Sequence, residues 1–176
     1  SFWELLLNVP ARARYYCWAD QDDIWHTDKL QRQIATFTAW PDTLACVHGW
    51  RSLRQDSDDA WAVDHIQTPI IQRSPAHYCF ETPAPGMTLC ITEMGRRFLY
   101  GQDSSLCEGL LQTIPHDRLA CAVFGANGRL IHIEGPLVDY RQHQHNQIGT
   151  PRAGIFNRNM RRIKQSARIW NAIMAG

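Results

Sequence analysis

Apolar and polar positions change period several times along the chain, and each change marks an expected element. Residues 2–8 are apolar at helical spacing and stop ahead of Pro10, predicting the end of an amphipathic helix. Residues 14–19 form a short aromatic run of buried-strand length. That run gives way to Asp20-Gln21-Asp22-Asp23, which is poor strand material and predicts a loop at the strand's C-terminal edge. A helix is expected next, with Thr27 as N-cap, Asp28 in the positive first turn, Leu30, Ile34 and Phe37 on one face, and Pro41 as terminator.

Further along, residues 44–48 and 87–92 read as strands, and 93–100 as a helix. Residues 50–85, polar and interrupted by four prolines, read as irregular loop. Another helix is expected from Pro115-His116-Asp117 to the region 125–128, followed by strands at 129–133 and 137–140 separated by Gly135-Pro136. Beyond residue 150, Phe156, Met160, Ile163, Ala167, Trp170 and Met174 recur at spacings of three and four, predicting a helix with a narrow apolar seam. The succession of strands and helices predicts an α/β fold built on a mixed sheet.

Composition adds bounds. The chain of 176 residues is 44% hydrophobic with seven tryptophans, enough for a packed core and against wholesale disorder. No apolar run approaches the roughly 18–20 residues that span a bilayer. The net charge of +1 hides an asymmetry: the segment from Pro151 onward holds six basic residues and no acid, leaving −5 before it. A basic tail on a slightly acidic body points to a phosphate-rich surface such as a membrane, or to docking on protein, and away from nucleic-acid binding by the whole molecule. The six cysteines are scattered without C-x-x-C spacing, mostly in apolar segments; the even count allows an extracellular disulfide framework, but a chain of this length does not need one, and they read as buried thiols of a reducing compartment.

Four strings carry candidate chemistry. In the acidic loop, three carboxylates within four residues repel one another unless a cation sits among them; a Mg²⁺ or Mn²⁺ site and a solvated acidic turn both account for it. Asp117, at a helix start beside His116, suits a first-turn acid or a general base. In Tyr140-Arg141-Gln142-His143, Arg141 offers a guanidinium fork for phosphate oxygens, and His143 offers an imidazole for a metal or is a structural or exposed histidine. Gly86, in Pro85-Gly86-Met87-Thr88, permits close backbone approach to a ligand, or simply makes a turn.

Taken in order, the strings Ala19-Asp20-Gln21-Asp22-Asp23-Ile24-Trp25 with Asp28-Lys29-Leu30, Gly86-Met87-Thr88, His116-Asp117, and Gly135-Pro136-Leu137-Val138 running into Tyr140-Arg141-Gln142-His143 resemble family 2 glycosyltransferases of the GT-A fold. Within that family they look most like the bacterial, rhamnosyltransferase-like branch. The resemblance covers residues 1–150 as the metal and acceptor part of a GT-A domain, with 151–176 a basic helical tail. It implies that Asp20 and Asp22 hold a divalent metal (Mn²⁺ or Mg²⁺) against the diphosphate of a nucleotide-sugar donor, with Asp22 the direct ligand. His143 would close that site. Asp117 would be the catalytic base, with Gln21, Asp23, Trp25, Gly86, Thr88, His116 and Arg141 lining the substrate. The implied reaction is inverting sugar transfer to a hydroxyl of a glycan or lipid-linked acceptor in surface-polysaccharide synthesis, in the cytoplasm or at the inner face of the plasma membrane.

The chain departs from the family at Arg118, Gln144 and His145 and near Trp50, positions that concern the acceptor side. The family's nucleotide-gripping strands are expected to precede Ser1, so the 176 residues alone are expected to transfer little sugar. Two other readings remain: a catalytically silent module of the same shape, and a metal-dependent phosphohydrolase built on His116-Asp117.

Overall fold

The computed structural model describes residues 2–10, 12–55, 60–69, 84–101 and 115–142. The 151–176 tail and His143 lie outside them, as do the basic seam and its expected helix. In chain order the described elements are α1 (Phe2–Asn8), β1 (Tyr15–Cys17), β2 (Ile24–Trp25), α2 (Lys29–Ala39), β3 (Ala45–Gln55) and β4 (Trp61–Gln67). A single 3₁₀ turn, Gly86–Thr88, leads into β5 (Cys90–Thr92), α3 (Glu93–Tyr100), α4 (His116–Ala126) and β6 (Leu130–Gln142).

Among the described residues, six strands form one mixed sheet in the order β1-β5-β3-β6-β2, with β4 also paired to β3. Only β3 and β6 run parallel; the other pairings are antiparallel. Strand alternation sends Ala45 and Val47 to one face, where they meet Leu99, Leu119 and Phe124 of α3 and α4. It sends Cys46 and Cys90 to the other, against Phe37 of α2. The chain is therefore a mixed α/β fold with helices against both sheet faces. No helix among the described residues is long and apolar enough to cross a membrane.

Several sequence expectations change. Helix α2 starts at Lys29 with Asp28 at its cap, not Thr27, and buries Lys29, Gln33 and Phe37. Leu30 and Ile34 stay 47% and 43% exposed, so the helix is turned by one residue from its apolar stripe. Lys29 explains the rotation: its ammonium donates to the Met87 carbonyl at 2.8 Å and lies 3.6 Å from the Trp25 ring centroid. Fixing the α2 face by that bond leaves the two aliphatic residues outside. The strand expected at 87–92 begins only at Cys90, because the Gly86 and Pro85 carbonyls instead accept from Leu89 and Thr88 in the 3₁₀ turn.

The loop expected over 50–85 contains instead the second half of β3 and all of β4. Strand β4 has no buried face to impose alternation on its sequence, since Trp61 through Ile66 are all exposed. The two strands expected around Gly135-Pro136 are one 13-residue strand, β6, with register shifts against β3 between His48 and Arg51. Gly135 takes φ +80° there, a conformation open to glycine at little cost. Arg32 donates to the neighbouring Glu134 carbonyl at 2.6 Å.

His48 on β3 is fully buried, its Nδ1 2.7 Å from the Gly49 carbonyl and its Nε2 without a hydrogen-bond partner. Burial holds its pKa down to about 3, helped by the positive Lys29, His26 and Arg32. A folded-state pKa below the unfolded one gives stability that is complete above pH 6.5 and lost as pH falls toward 3. Between pH 7 and 4 the parent should lose about 3 kcal/mol more than a His48→Gln variant, by equilibrium denaturation at both pH values. Identical losses in the two proteins would show that His48 does not titrate this way.

Candidate functional site

The sheet register assembles the site. Cys17 pairs with Cys90 across β1 and β5, so the loop after β1 and the turn before β5 leave the sheet at the same end. The acidic loop thereby comes beside Gly86, although some sixty residues separate them in sequence. Helix α4 brings its first turn to the same place. The Gly86 N–H donates to Asp117 Oδ2 at 3.2 Å, and the Arg118 N–H donates to Asp117 Oδ1 at 2.7 Å. His116 packs edge-on against Trp18, ring centroids 4.7 Å apart, at the start of the acidic loop. A β-carbon on Gly86 would stand 3.3 Å from His116 Nε2 and 3.4 Å from Trp18, which is why the closest approach falls on a glycine.

Electrostatics tie the loop to the helix. Burial raises the Asp20 pKa, with Asp22 and Asp117 pushing the same way and His116 opposing. Burial lowers that of His116, against the pull of Asp117 and Asp20. Asp23 is pushed up to about 7, first by burial and then by Asp20 and Asp22, with Lys29 and Arg141 counteracting. Both Asp23 carboxylate oxygens are inaccessible and accept no hydrogen bond. The loop thus sets its carboxyl groups close enough to raise the pKa of Asp20 and Asp23, against the pull of His116, Lys29 and Arg141.

Three of the expected substrate-lining residues make internal contacts around the site. Arg141 on β6 donates from Nε to the Asp22 carbonyl and sets its guanidinium 5.7 Å from the Trp61 ring. Trp25 covers the Lys29 ammonium. Thr88 is fully buried and its hydroxyl donates to the Pro85 carbonyl at 2.8 Å, shaping the turn that presents Gly86. Gln21 lies exposed at the loop's tip.

The structure therefore brings together Asp20, Gly86, His116 and Asp117, with Asp22 and Asp23 in the same loop. It places Thr88, Trp25 and Arg141 as internal supports. Among the described residues no three His, Cys, Asp or Glu side chains are placed to hold a metal ion. The oxygen donors at hand are those of the acidic loop. The burial of Lys29 is not legible in the sequence, because its polar side chain falls off the apolar stripe of α2. Sequence reading passed over Asp139, buried in β6, which accepts from Arg51 Nε and a terminal guanidinium nitrogen at 2.6 Å each and contacts His26 Nε2 at 2.8 Å. That network clamps β2, β3 and β6 behind the loop, and only the strand pairing reveals it.

No family model matches the chain, and no curated protein matches it.

Proposed function

We propose that this chain carries the metal and acceptor part of an inverting nucleotide-sugar glycosyltransferase with a GT-A-type fold. The observation that carries the reading is the convergence of the acidic loop with Gly86 and His116-Asp117 at one end of the sheet. Open α/β sheets bind ligands at the carboxyl ends of their strands, and the acidic loop occupies that end of β1.

The chemistry follows from the side chains. Asp117 accepts the proton of an acceptor hydroxyl. Two backbone N–H groups fix its carboxylate, so it meets that proton without reorienting. The freed oxygen forms a bond to the anomeric carbon of the donor sugar while the bond to the nucleoside diphosphate breaks on the opposite face, inverting the centre. His116, kept neutral by burial, flanks Asp117 as a hydrogen-bonding group that adds no fixed charge. The chemistry of the donors suits a hard divalent cation: Asp20 and Asp22 offer carboxylate oxygens beside Asp23, whose own two oxygens are buried and accept no hydrogen bond. Asp20 and Asp22 would hold it, with His143 from outside the described residues. When bound, Mn²⁺ or Mg²⁺ supplies electrostatic stabilisation of the departing diphosphate. The acceptor is a glycan or lipid-linked hydroxyl, and the basic tail gives contact with an anionic membrane surface.

Titration calorimetry of the chain with Mn²⁺, alone and with a nucleoside diphosphate, tests the reading. Asp22→Ala should weaken Mn²⁺ binding by at least about tenfold, since losing even an outer partner of a metal ligand costs about 10–100-fold. Equal Mn²⁺ affinity in variant and parent would remove Asp22 from the coordination.

A further inference from the structure

The interface between α2 and the sheet contains a row of three thiols that the proposed reaction does not use. Cys17 on β1, Cys90 on β5 and Cys46 on β3 are successive register partners, so their side chains leave the same face of the sheet side by side. The Sγ atoms of Cys17 and Cys90 are 3.0 Å apart. Cys46 and Cys90 are buried, whereas Cys17 is half-buried on β1, which lies at the end of the sheet order. Gln33 of α2 accepts from the Cys17 thiol at 3.6 Å, and the Lys29 ammonium acts on both Cys17 and Cys90. All three thiols face a polar stripe of Lys29 and Gln33, which is an unusual lining for buried cysteines that serve only as small apolar side chains.

We propose that Cys17 and Cys90 form a reversible redox pair that closes to a cross-strand disulfide. Directly opposed residues of an antiparallel pair have Cα atoms about 4.5–5.5 Å apart, within the range a disulfide accepts. Hydrogen peroxide meets Cys17 first, as the more accessible of the two. The Cys17 sulfur attacks one peroxide oxygen, giving a sulfenic acid and a molecule of water. The Cys90 sulfur then displaces hydroxide from that sulfenic acid, forming the S–S bond. The two thiol protons end in the two waters, and the two sulfurs lose the two electrons that peroxide gains. Closure ties the strand leading into the acidic loop to the strand following the Gly86 turn. The hydrogen bond between the thiols, and then burial, raises the pKa of Cys17, and that of Cys90 is raised as well, so both thiols stay protonated near neutrality and oxidation is slow. Such a pair stays open in a reducing compartment and closes under sustained oxidation.

Native chain exposed to hydrogen peroxide, alkylated and digested with a protease tests this by mass spectrometry. A linked peptide pair containing Cys17 and Cys90, two hydrogens lighter than the separate peptides and released by dithiothreitol, is expected. It should persist in Cys46→Ala and vanish in Cys17→Ser. The pairing is overturned by a link through Cys46 instead, by Cys17 and Cys90 oxidised singly without a link, or by both thiols remaining alkylatable. None of these readouts depends on metal binding or sugar transfer, so the redox pair and the proposed reaction stand or fall separately.

Discussion

If Asp117 is the base of the proposed transfer, Asp117→Asn should slow sugar transfer by about 10²–10⁴-fold, the usual contribution of a positioned general base. The amide matches the carboxylate in size but takes no proton from the acceptor. Its cost to the fold is about 1–3 kcal/mol, since the amide oxygen still accepts from one backbone N–H while the amide NH2 faces the other. Affinity for Mn²⁺ and for the nucleoside diphosphate should stay within a few-fold, because the acidic loop is untouched. The measurement is a transfer assay on a protein that includes the expected upstream nucleotide-binding strands, run beside Mn²⁺ calorimetry. Full transfer activity in the variant would take the base role from Asp117. Joint loss of activity and metal affinity would show that Asp117 belongs to the metal site instead.

Gly95→Ala should destabilise the fold by about 3 kcal/mol or more, at the upper end of what overpacking costs. A β-carbon there would stand 2.3 Å from the Leu44 carbonyl oxygen and 2.9 Å from Ile91 Cγ2. The Leu44 oxygen has no easy retreat, because it accepts from the Thr92 N–H at 2.9 Å and from the Thr92 hydroxyl at 3.1 Å. The same hydroxyl caps α3 by accepting from the Gly95 N–H at 3.0 Å. Yielding at Leu44 therefore loosens the cap, β5 and the start of β3 together. Gly101→Ala is the control: its nearest neighbours would be 3.5 Å away and its φ of −75° suits any residue. Chemical denaturation of both variants should separate them widely, and equal midpoints would show that the packing at Gly95 yields without cost.

Much of the site was written locally. An acidic string after an aromatic strand and a His-Asp pair behind a proline each announce a loop and a helix start, and both stand where expected. The boundaries of α1 and α4 also followed from Pro10, Pro115 and the glycines after residue 124. The failures share a cause. Of the expected inner face of α2, Leu30, Ile34 and Phe37, only Phe37 is buried, and Lys29 and Gln33 complete the stripe, with Lys29 donating to a carbonyl 58 residues away. Strand β4 carries no buried face, so its pairing with β3 leaves no periodic trace in the sequence. The two strands read at Gly135-Pro136 are one, because a glycine at positive φ absorbs a bulge that looks locally like a break.

The sequence by itself therefore determined the kinds of element, the acidic loop at a strand end and the identity of the groups that could do chemistry. Those depend on period, turn residues and side-chain type, all of which are local. Tertiary structure decided which groups meet. The Cys17–Cys90 register carries the loop to Gly86, and the first turn of α4 presents Asp117 to the Gly86 N–H. It also decided that the Asp23 carboxylate oxygens are buried without a donor while Lys29 is spent on Met87 and Trp25. Such pairings depend on distance and burial, which are properties of the packed chain and of no segment within it.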